Sequence, residues 1–162
     1  MSEHLEMEYE TIQNVIDSWE LLRRIPNYDV EAGTLLFTHL FEKCPPAMVL
    51  FGFPKDMDPT CEKLKKSKRF VSHAKNMVAM LDRALAMLGP DAELLEEMLL
   101  DLGKKHVTIG VPVNAYPIMG DALLQTLREL LGDKFNQQAE HSWLEVYRAF
   151  SFEMISVMRK TV

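Results

Sequence analysis

Apolar residues in this chain recur at helical spacing, and proline or glycine interrupts them at the breaks. Ile12, Val15, Ile16, Trp19, Leu22 and Ile25 keep the rhythm of a helix over 8–25, which Pro26-Asn27 stops. Leu36, Phe37, Leu40 and Phe41 mark a second helix over 30–43. Pro45 and Pro46 open a short turn through Leu50, since proline suits a first helical position. An irregular link rich in Pro and Asp follows over 55–60. Phe70, His73, Met77, Met80, Leu81, Ala84 and Leu88 share one side of a long helix over 64–88, which Gly89-Pro90 ends. Helices over 92–106, 115–131 and 134–160 complete the chain, the last carrying Trp143, Tyr147, Phe150 and Met154. No alternating β-branched run and no Asn-Gly hairpin turn occurs. The expected class is therefore all-α, with seven or so helices whose uneven lengths do not suit a regular four-helix bundle.

Length and charge narrow the choice further. At 162 residues the chain suits one domain over 1–162, with 1–8 as an N-terminal tail. A hydrophobic fraction of 48% with 26% charged residues is that of an ordinary soluble globule. The net charge of −6 argues against nucleic acid or an anionic membrane as partner. No apolar run is long enough to span a membrane, and the acidic start, Ser2-Glu3-His4-Leu5-Glu6, lacks the order of a signal peptide. The expected compartment is the cytoplasm, where Cys44 and Cys61 read as reduced thiols, a single redox-sensitive disulfide being the other reading.

Two histidines carry the chemistry. His106 stands in the last turn of its helix, with Leu102, Leu99 and Met98 at i−4, i−7 and i−8 on the same face. Lys104 and Lys105 fall off that face, and Gly110 and Pro112 end the helix. Such a histidine is either a core residue bonded to backbone or an axial metal ligand, one nitrogen on the metal and the other donating to a nearby acceptor. His73 lies on the apolar side of the 64–88 helix, and the short turn over 89–91 lets the two helices form two walls of one crevice. Imidazoles facing each other across a crevice suit a flat metallocycle better than zinc, because neither cysteine is near either histidine in sequence. His4 is in the N-terminal tail, and His39 and His141 fall off the apolar faces of their helices, so none of the three is expected at this site.

The chain resembles the globins over essentially its whole length. Leu102-Gly103-Lys104-Lys105-His106 followed by Ile109-Gly110-Val111 is similar to the family's proximal stretch. Phe51 matches the phenylalanine that wedges the haem, and His73 falls where the family places its distal residue. Trp19, Phe37, Trp143 and Tyr147 match aromatic positions of the first, second and last helices. Within the family, Gly33-Thr34-Leu35-Leu36-Phe37 and the Leu-Gly-x-Lys-His stretch look most like the neuroglobin-like single-domain globins.

The resemblance implies a globin fold of seven to eight helices in a three-over-three sandwich around haem b (iron protoporphyrin IX). It implies His106 as proximal and His73 as distal metal ligand, with Phe37, Phe51, Phe53, Phe70, Met77, Leu102, Val111 and Tyr116 around the cofactor. His73 then has two competing roles: donor to a bound gas, or sixth iron ligand in a bis-histidine resting state that an incoming gas must displace. Met77 narrows the ligand space or simply fills it. Lys66, Lys68, Arg69, Lys75 and Lys105 are either haem-propionate partners or a solvated face. The implied activity is reversible binding of O2, CO and NO, for oxygen storage, transport or sensing. The alternative is an enzyme, a nitric oxide dioxygenase or nitrite reductase, which needs a separate reductase as partner. Monomer and homodimer both remain open.

Overall fold

The computed structural model describes residues 3–160 and contains helices and turns, with no strand among the described residues. The α-helices are α1 (Tyr9–Arg23), α2 (Tyr28–Lys43), α3 (Pro46–Leu50), α4 (Glu62–Lys65), α5 (Lys68–Met87), α6 (Ala92–Ile109), α7 (Ala115–Leu131) and α8 (Gln137–Lys160). Two layers account for the packing: α1, α5 and α6 lie over α2, α7 and α8. Contacts of α2 with α5, and of α8 with both α1 and α6, join the layers. Leu22, Leu36, Phe41, Leu95, Leu127 and Trp143 are fully buried where the layers meet. Burial of each such aliphatic or phenyl side chain contributes about 1.5–3 kcal/mol.

The breaks expected at Pro26, Gly89-Pro90 and Gly110 all fall between helices. Other boundaries differ from expectation, among them the end of α6, which runs on from 106 to Ile109. The long helix expected over 64–88 is two, α4 and α5, because Ser67 Oγ accepts the Phe70 N–H at 3.1 Å and so caps a new helix. The last helix starts later than 134, after a 3-10 turn over Gly132–Lys134, where Asn136 Oδ1 accepts the Ala139 N–H at 2.8 Å. Within the segment expected as a tail, Glu3–Leu5 forms a 3-10 turn packed on α8, with Leu5 buried.

Polar groups pin the α1 side. Trp143 Nε1 donates to Ser18 Oγ at 2.7 Å, and that hydroxyl lies within 2.9 Å of the Asn14 and Val15 carbonyls. Trp19 Nε1 and Tyr28 Oη each donate to Asp82 at 2.7 Å, tying α1 and the start of α2 to α5. His39, off the Phe37 face as expected, is buried between α2 and α7, its Nε2 3.1 Å from Glu129 Oε2. His4 sits against Phe152 of α8 and His141 is exposed. No helix among the described residues is long and apolar enough to cross a membrane.

Candidate functional site

The end of α6 is built to hold one imidazole. Gly110 adopts φ 94°, a left-handed conformation that glycine takes without strain, and its N–H bonds back to the His106 and Val107 carbonyls. The Val111 N–H reaches the same His106 carbonyl at 2.9 Å. Behind this cap, Gly103 lies flat on α8, where a Cβ would run into the Met154 backbone carbonyl. The last turn of α6 is thus pressed against α8, and His106 projects from it.

His106 Nδ1 is 2.8 Å from the Leu102 carbonyl oxygen. A carbonyl can only accept, so Nδ1 carries the proton and Nε2 keeps the lone pair. The ring lines a cavity of about 140 Å³ shared by α5, α6, α7 and α8. Met77, Met80 and Leu81 of α5, and Leu99 and Leu102 of α6, give it apolar walls. The two helices are the two walls expected from the short turn between them.

Six of the residues expected at the site line this cavity: Phe51, Met77, Leu102, His106, Val111 and Tyr116. The other four lie behind or beside it. Phe37 and Phe70 are buried in an aromatic cluster whose ring centroids approach Phe51 at 5.0 Å (Phe37) and each other at 6.4 Å. Phe53 joins the same cluster through Phe41 and Phe70. His73 is half-buried and meets Phe51 edge-on, with ring centroids 4.8 Å apart, so it borders the cavity through that phenylalanine. Burial, and then the nearby Arg69 charge, hold the His73 pKa below its ordinary value, which favours the neutral ring.

Sequence reasoning missed the α8 wall, made by Tyr147, Phe150, Ser151 and Met154. Tyr147 Oη donates to the Tyr116 carbonyl at 2.6 Å, and its ring lies where a Cβ on Gly120 would stand 2.8 Å away. Burial pushes the Tyr147 hydroxyl well above its usual pKa, so it stays a donor. Tyr116 in turn stands behind His106, with ring centroids 6.1 Å apart. Cys44 and Cys61 are free thiols, each half-buried. No cluster of three or more His, Cys, Asp or Glu suited to a metal ion occurs among the described residues.

A two-layer helical sandwich with one imidazole held over an apolar cavity defines a class, and comparison with known proteins agrees. The globin family model matches residues 34–154, and the chain belongs to the globin family. It is neuroglobin-like: it is 33% identical to neuroglobin of Danio rerio over 133 residues, 81% of this chain and 79% of that one. Neuroglobin-2 of Oncorhynchus mykiss is 33% identical over 132 residues, 80% of this chain and 79% of its own. Among solved structures, a hexacoordinated heme protein from an anhydrobiotic tardigrade superposes with a TM-score of 0.84 at 19% identity, covering 98% of this chain and 99% of that one. A hexa-coordinate hemoglobin of Drosophila melanogaster superposes at 0.79 with 20% identity, over 92% and 94% of the two chains. The fold is the globin fold, and the protein is a haem globin.

Proposed function

We propose that this globin reversibly binds O2 and other diatomic gases at haem b, with His106 as proximal ligand and His73 as the distal residue. One observation supports this above the rest: the wall of an apolar cavity carries an imidazole whose Nδ1 is committed to the Leu102 carbonyl at 2.8 Å. The donor set fits haem, because the hydrogen bond orients the ring, raises its basicity and leaves Nε2 for a metal. Phe51, Leu102, Val111 and Tyr116 offer the apolar surface that a porphyrin needs.

Haem supplies an iron that binds diatomic gases. The chain does the rest. His106 holds the cofactor from α6 and is braced by the Gly110 cap. The walls are mostly apolar, and a hydrogen bond formed against them would be stronger than one in bulk water. His73, kept neutral by burial and by Arg69, presents either an N–H to a gas molecule or a lone pair to the metal. It stands half-buried beside Phe51, at the border of the cavity. The two solved relatives with hexa-coordinate haem, one from a tardigrade and one from Drosophila melanogaster, agree with that role.

The test is the visible spectrum of hemin-loaded ferric protein beside a His73→Leu variant. A low-spin spectrum that becomes high-spin in the variant supports a bis-histidine resting state, and redox or scavenging roles then gain over simple storage. A high-spin ferric spectrum in the unmodified protein contradicts it and favours an open site for storage or transport.

A further inference from the structure

We infer that Met77 is a second distal ligand, whose thioether takes the sixth position on reduced iron when His73 is off it. This rests on the haem reading above. The observation behind it is an offset between two residues one turn apart on α5. Met77 lies at i+4 from His73 and so shares its face. Met77 lines the cavity that His106 lines from α6, whereas His73 stands one turn nearer the helix start and borders the cavity through Phe51.

Chemistry separates the two groups. A thioether is soft and carries no proton, so it prefers the lower oxidation state and is indifferent to pH. An imidazole binds both states and is lost on protonation. A methionine side chain has three rotatable bonds, enough to carry its sulfur from wall contact to a metal without moving the helix. It also needs no hydrogen-bond partner to orient it, and the walls around Met77 are apolar. Met80, two turns from His73, lines the same wall, and Met98, Met119 and Met154 bring further sulfurs to the cavity from α6, α7 and α8.

The experiment uses full-length protein loaded with hemin and reduced with dithionite. His73→Leu is expected to stay low-spin and six-coordinate when reduced, with the upfield-shifted methyl singlet of an axial methionine in its proton NMR spectrum. Adding Met77→Leu should erase the singlet, give a high-spin five-coordinate spectrum and speed carbon monoxide binding roughly tenfold. That is the factor expected if the thioether holds about nine-tenths of the population. Leucine nearly conserves methionine volume, and unchanged hemin stoichiometry checks that the double variant is folded. A reduced His73→Leu protein that is high-spin and matches the double variant overturns the inference. So does a singlet that survives Met77→Leu and is lost instead on substitution of Met80, Met98, Met119 or Met154 by leucine. Failure of the unmodified protein to take up hemin overturns the haem reading itself, and is told apart by the absence of any haem spectrum.

Discussion

Where α1 meets α8 and α5, polar groups are closed on one another. Trp143 donates to Ser18, while Trp19 and Tyr28 share the two oxygens of Asp82. In the cavity the pattern is reversed. Its walls are apolar, and His106 spends one ring nitrogen on Leu102 while the other has no partner among the described residues. Both regions bury large side chains of the same helices, so burial does not separate structure from function here. Open valence does. The paired groups pin helix to helix, whereas the half-buried His106 ring is oriented by one bond and turns its other nitrogen to a ligand.

This contrast predicts that substitutions on the closed side move stability and leave the haem spectrum alone. Trp143→Ala has the largest expected effect. It removes a fully buried indole and leaves Ser18 without its donor, for a loss of about 3–5 kcal/mol in urea unfolding. Asp82→Ala comes next. It strands the buried Trp19 N–H, at a cost of about 1–3 kcal/mol by the same assay, with the haem-loaded spectrum unchanged. A spectrum altered by either change would break the separation between the two regions.

The smallest effect belongs to a surface pair between α7 and α8. The hydrogen bond from Arg128, and its charge, hold Glu140 below its usual pKa. A depressed carboxylate contributes stability above its unfolded pKa, about 4.3, and loses it as pH falls through the lower folded value. Glu140→Gln should therefore cost a small, salt-sensitive amount at neutral pH, and the difference from the unmodified protein should vanish in acid. A difference that persists below both values would mean that the glutamate acts through packing.

Much of this was legible in the sequence where the signal is local. The bond from His106 to Leu102 follows from i−4 spacing in a last turn closed by glycine, and the helix ends follow from Pro26, Gly89-Pro90 and Gly110. The split at Ser67 was hidden because the apolar rhythm runs through it from Leu64 to Phe70, while the cap is a single hydroxyl. The α8 wall was hidden for another reason: a helix buried on one face looks the same whether that face meets core or cavity. The burial of His39 was not legible because its partner, Glu129, comes from a helix far along the chain. Spacing puts His73 on the face of α5 that carries Phe70 and Met77, but its depth depends on the Phe51 ring.

The measurement that bears most directly on the account is a hemin titration of the purified protein beside a His106→Gly variant, with and without added imidazole. The account predicts stoichiometric uptake by the unmodified protein, loss of uptake or of the axial-ligand spectrum in the variant, and recovery when free imidazole fills the gap. Identical affinity and spectra for the two proteins would contradict it, because His106 would then be an ordinary core histidine bonded to Leu102.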